Sequence, residues 1–180
     1  MIQLRSYTTG LQVRDGGDGR TLVGVAAPYG TPVTIHEGGR TYVETFVRGA
    51  FNDDTADPGA IPLTARHPGS NDVLPIGRTV SLREEHDGLH GEWHVSDTAF
   101  GTEVLTLVRD GAITGLSVGF IEDTDRWSSD RRTVQRVRAH LDHVAVVRVP
   151  AYPAARIAAV RAAQPLTTPR LRVARLRRWW

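Results

Sequence analysis

The chain has 180 residues, a formal net charge of +2 and 40% hydrophobic residues, enough for one packed domain and too little for two of ordinary size. It has no cysteine, which excludes disulfide frameworks, thiolate metal sites, iron–sulfur clusters and a cysteine nucleophile. Its 22 basic residues are all arginine, which excludes Schiff-base chemistry and a Walker-type phosphate lysine, so a covalent nucleophile is expected to be Ser or Thr.

The charge is unevenly spread. The last twenty residues hold six arginines and no acid, leaving 16 basic against 20 acidic groups in the first 160. The expected organisation is an acidic body, residues 1–160, followed by a basic Arg/Trp-rich tail, residues 161–180, that is solvated, partly disordered, or tethered to an acidic partner or nucleic acid. Because the excess charge is confined to that tail, nucleic acid is disfavoured as a partner of the body. The opening MIQLRSYTTG has no apolar leader core, and no stretch approaches the ~18 apolar residues of a membrane span. A protein of a cytosol-like compartment with no membrane partner is expected.

In chain order, Thr21–Ala27 and Thr41–Phe46 are rich in β-branched residues and separated by Pro- and Gly-containing turns, which predicts strands. Arg78–Glu85 and Leu89–Val95 flank His86-Asp87-Gly88, so a hairpin with Asp-Gly at its turn is expected. One helix is predicted over Thr98–Asp110, with Ser96 or Asp97 as N-cap, Gly111 at C′, and Phe100, Val104, Leu107 and Val108 on its apolar face. Leu116–Ile121, Val134–Arg138 and Leu141–Val149 follow as strands, before Pro150, Pro153 and a short Ala-rich helix around Ala154–Ala162.

Three features could carry chemistry. His86, His90 and His94 recur every four residues, but along strands that step spans roughly 13 Å, too far to share one ion at a Zn–N distance of about 2 Å. Exposed hairpin histidines and no metal are expected there. Gly115-Leu116-Ser117-Val118-Gly119 matches G-x-S-x-G, yet a helix precedes it and a strand follows, the reverse of a hydrolase elbow. A serine between glycines still suits a nucleophile, with the glycines expected to leave its hydroxyl exposed. A serine needs a base and the base an orienting group. His67, after IPLTAR, falls at a rim; His143, in LDHVAVVRV, alternates with Ala145 and Val147 on a face that is internal if it is the core, where a polar ring needs a partner. Asp142 is expected on the opposite face if the strand is regular.

Several blocks in order, Gly24–Gly30 (GVAAPYG), Glu44–Phe51 (ETFVRGAF), Leu63–His67 (LTARH), Arg109–Phe120 (RDGAITGLSVGF) and Leu141–Ala155 (LDHVAVVRVPAYPAA), resemble the HK97-type bacteriophage prohead serine proteases, relatives of the herpesvirus assemblins. The resemblance covers roughly residues 20–160. It implies a mainly β (α+β) fold: a small, mostly antiparallel β-barrel with flanking helices. Carried over by position, Ser117 is the nucleophile, His67 the general base and His143 the third member of an assemblin-like Ser-His-His arrangement, in a slot where many phage relatives carry glutamate. No cofactor is implied. The implied partners are the major capsid protein precursor or scaffold, with a second copy of the chain as a further candidate. The implied location is the phage procapsid in the host cytoplasm, with self-cleavage and an oxyanion hole of backbone N–H groups that could include Ala151. A non-catalytic, scaffold-binding assembly module is the alternative.

Overall fold

The structure is a computed structural model that describes residues 2–8, 10–65 and 74–148. His67, the residues from Val149 onward, the Ala154–Ala162 helix and the tail lie outside them, so the domain division at residue 160 is not addressed.

Among the described residues the chain forms ten strands and one α-helix: β1 (Gln3–Thr8), β2 (Gln12–Val13), β3 (Thr21–Pro28), β4 (Val33–Glu37), β5 (Arg40–Phe46), β6 (Pro62–Thr64), β7 (Gly77–Glu84), β8 (Gly88–Val95), α1 (Ala99–Arg109), β9 (Gly115–Trp127) and β10 (Thr133–Val147). One sheet runs β1-β9-β10-β6-β7-β8-β3-β2, and β5, itself paired with β4, joins the first half of β10. Most neighbours are antiparallel, but β10 meets both β5 and β6 in parallel.

The sheet curls until β3, near one end, packs on β9, near the other. At that seam a Cβ on Gly24 would lie 3.3 Å from Leu116 Cδ1. The result is the mainly β, partly closed barrel that the sequence predicts, with one helix rather than several on the described body.

The interior is filled by alternate residues of each strand. Leu116, Val118 and Phe120 of β9 lie opposite Val146, Val144 and Leu141 of β10, all buried. Phe120 packs against Phe46 and Phe51 with ring centroids 5.1 and 6.3 Å away.

A charged cluster stands beside these rings. Glu44, 2% exposed, takes Arg5 Nη2 at 3.1 Å and Arg136 Nε at 2.6 Å, and both guanidinium groups lie within 6 Å of the Phe120 ring centroid. Burial pulls the pKa of both arginines down, but Glu44, joined by Asp125 and Glu122 at Arg136 and by Tyr42 and Tyr7 at Arg5, outweighs it and the net direction is up. These cations are fixed charges that tie β1, β5 and β10 together.

Local structure departs from expectation in several places, and β9 runs to Trp127, six residues past the expected end at Ile121. The helix starts one residue later, at Ala99, and its N-cap is Thr98, whose Oγ1 accepts from Gly101 N at 2.9 Å, rather than Ser96 or Asp97. Its buried face is Gly101, Val104, Leu105 and Val108, while Phe100 is exposed. Gly101 earns its place by lack of volume: a Cβ there would lie 2.4 Å from Ser96 O. At the β7–β8 turn Glu85 N donates to Gly88 O, so His86-Asp87 occupies the centre. Gly88 serves packing instead, because a Cβ would lie 2.7 Å from Ala27 O. Finally, the two strands expected over 134–149 are one continuous β10.

Candidate active site

Ser117 sits in the middle of β9, and the strand registers build the site around it. Across the sheet, Ser6, Ser117, Ala145 and Thr64 fall in one row, and Leu4, Gly119 and His143 in the next. Residues directly opposite in a ladder share a face. These two rows therefore lie on the outer face of the sheet, away from Leu116, Val118 and Phe120.

That placement corrects the expectation for His143. Its face is not the core face; the core takes Val144 and Val146. Even so, His143 and Ser117 are both buried, at 1% and 0% exposure.

The serine hydroxyl is not exposed either. Ser117 Oγ donates to Arg5 O at 2.8 Å and accepts from Ser6 Oγ at 2.8 Å. The proton a general base must remove is thus held by a backbone carbonyl of β1, so the serine rests as an ordinary neutral hydroxyl.

The flanking glycines do different work from the one expected of them. A Cβ on Gly115 would lie 2.6 Å from Tyr7 O, so this glycine lets β1 close onto β9. A Cβ on Gly119 would lie 2.2 Å from His143 Cε1 and 2.5 Å from Nδ1. The imidazole therefore lies across Gly119, in the space a side chain would fill. Of the G-x-S-x-G motif, one glycine seats the neighbouring strand and the other seats the histidine.

Asp142 also departs from expectation. The register steps from Leu141↔Phe120 to His143↔Gly119, leaving Asp142 as an extra residue. This β-bulge breaks the alternation that would have sent its side chain to the other face. Its Oδ2 lies 2.8 Å from His143 Nδ1. No Gly or Pro in LDHVAVV marks a bulge, so sequence reasoning had no backbone signal for this contact. The β1 contacts to Ser117 were equally hidden, because they depend on pairing between residues 111 positions apart.

His67 lies outside the described residues. The last residue of β6, Thr64, is beside Ala145, which is beside Ser117; His67 is three positions further along the sequence.

The three hairpin histidines are dispersed among carboxylates. His90 Nε2 lies 2.9 Å from Asp87 and His94 Nε2 3.0 Å from Asp18, while His86 is exposed. Glu85, Asp87 and His90 bring one ligand atom each within 4.8 Å of one another at the hairpin tip. That set has one histidine instead of three and is otherwise built of exposed acids. Among the described residues no helix is long and apolar enough to cross a membrane.

Among curated proteins, none matches the sequence. A solved structure of the bacteriophage T4 capsid assembly protease aligns with a TM-score of 0.49 and 13% identity, over 83% of this chain and 99% of that one. Residues 9–168 match the sequence model of the family described as caudovirus prohead serine protease. That match spans most of the chain and takes in Ser117, His67 and His143 together: the protein belongs to the caudovirus prohead serine protease family.

Proposed function

We propose that this chain is an endopeptidase that cleaves capsid-protein or scaffold segments inside the procapsid, and cleaves itself, with Ser117 as nucleophile, His67 as general base and His143 orienting His67. The observation that carries the reading is the shared outer face of β9 and β10, where Ser117 and His143 occupy adjacent rows with Gly119 making room for the ring.

The reaction is acyl transfer. His67 takes the Ser117 proton as Oγ attacks the peptide carbonyl carbon, and the carbonyl π electrons move to oxygen to form the tetrahedral intermediate. Collapse breaks the C–N bond, and the protonated His67 gives its proton to the departing amine. Water, deprotonated by His67, then cleaves the ester and returns the hydroxyl to Ser117. Backbone N–H groups would stabilise the oxyanion. A neutral histidine in the third position stabilises the transient imidazolium less than a carboxylate does, which favours a slow enzyme confined with its substrate. For Ser117 to react, its hydroxyl must leave the Arg5 carbonyl for His67, a change of one hydrogen bond.

The test is processing of the co-expressed capsid-protein precursor by His67→Ala and His143→Ala variants, followed by product mass against time. Loss of a general base lowers the rate by about 10²–10⁴-fold, and loss of the orienting ring by less. Wild-type rates in His67→Ala would overturn the assignment. Full-length precursor with every variant and with wild type would instead favour a non-catalytic assembly module.

A further inference from the structure

The Asp142–His143 contact is not needed to recognise the family, and its geometry is specific. A carboxylate can only accept, so at 2.8 Å from Nδ1 the ring must donate there. In the neutral imidazole this assigns the proton to Nδ1 and leaves Nε2 as the acceptor. An acceptor nitrogen is what an orienting histidine must offer to the N–H of a general base.

The bulge that aims Asp142 is itself held in place. Leu141 N, next to it, donates to Asp54 Oδ2 at 2.9 Å, and Asp54 lies in the 3₁₀ turn Asn52–Thr55. Two residues earlier Ala139 N donates to Ala50 O at 2.8 Å. Ala50 and Asp54 are thus bonded to β10 just before Asp142, where the register shifts. The Asp142 side chain is 34% exposed and the His143 side chain 2%, so the carboxylate reaches from the rim to a buried ring.

We propose that Asp142 is a positioning residue of the protease: from a β-bulge pinned by Asp54 it accepts the Nδ1 proton of His143, fixing the tautomer and orientation in which His143 presents Nε2 to the general base. The proposal rests on the Ser117–His67–His143 reading. The proposed catalytic set then has four side chains, with the charge missing from the third position supplied one residue away through the Asp142–His143 hydrogen bond. A carboxylate behind the histidine recovers part of the imidazolium stabilisation that a neutral third member lacks.

The experiment compares wild type, Asp142→Ala, Asp142→Glu and Ser117→Ala. Processing of the co-expressed capsid-protein precursor is timed, and the His143 ring is read by 15N NMR of histidine-labelled protein, with unfolding temperature as a folding control. Asp142→Ala is expected to cut the processing rate on the order of tenfold, to leave the unfolding temperature within a few degrees of wild type, and to move His143 away from the Nδ1–H form. Asp142→Glu is expected to restore part of the rate and of the Nδ1–H signal. A wild-type rate in Asp142→Ala, or an Nε2–H tautomer of His143 in wild type, would overturn the proposal. Undiminished processing by Ser117→Ala would overturn the catalytic reading itself, whereas its loss alongside a fully active Asp142→Ala removes only the role of Asp142.

Discussion

The inner and outer faces of the β9–β10 ladder are made by alternate residues of the same two strands, yet they are held by opposite means. On the inner face, large groups fill space: Leu116, Val118 and Phe120 meet Val144 and Val146, and the Arg5–Glu44–Arg136 cluster is locked by charge-assisted hydrogen bonds. On the outer face, small residues leave space: Gly115 admits β1, Gly119 admits the His143 ring, and Ser117 stands between them. Bulky packing and charge pairing therefore lie on one side of the sheet and the proposed chemistry on the other, within a single stretch of six residues. This division allows mutations to affect one without the other.

The largest loss of stability is expected on the inner face. Glu44→Ala leaves two buried guanidinium groups without their shared carboxylate, and breaking such a pair costs about 3–5 kcal/mol. Chemical denaturation should record that loss, while protein kept folded at low temperature retains processing activity. An unchanged midpoint would mean that the cluster is not a structural tie.

The outer face should behave in reverse. In Gly119→Ala the new methyl must occupy the position of the His143 ring, so processing should fall by at least tenfold, on the scale of losing a positioning group. A cost in stability on the order of 1–3 kcal/mol accompanies the overpacking. Retained activity would show that His143 can leave Gly119 without consequence, which would break the contrast between the faces.

Ser6→Ala gives the smallest effect. It removes one neutral hydrogen bond to Ser117 Oγ, of the order of 0.5–1.5 kcal/mol, while the Arg5 carbonyl still accepts from the nucleophile. Stability should fall by no more than that amount and processing should stay within about threefold of wild type. A loss comparable with Gly119→Ala would make Ser6 a functional group in its own right.

The inner face was the more legible in sequence. Alternation of branched and aromatic residues located β3, β5, β7 and β8 to within a residue of their ends, because burial dictates residue type there, and found the start of β9 but not its end, which runs six residues past the expected Ile121 to Trp127. Block resemblance assigned Ser117 and His143 to one site across 26 residues, and the ladder puts them in adjacent rows of one face. What stayed hidden depended on register. The bulge at Asp142, the seating of His143 over Gly119 and the hold of β1 on Ser117 all follow from which residues lie opposite one another, and a period-2 pattern does not encode that. The helix face was also displaced, since Gly101 packs by having no side chain and so carries no hydrophobic signal.

Ser117 as the nucleophile is the claim on which the rest depends, and the intact mass of the capsid protein tests it most directly. When the precursor is co-expressed with wild-type chain it should lose a segment, and with Ser117→Ala it should remain full length although assembled proheads still form. The substitution removes one oxygen and its hydrogen bonds with Arg5 O and Ser6 Oγ, so the unfolding temperature of Ser117→Ala is measured alongside as a folding control. A precursor processed equally by both would contradict the account.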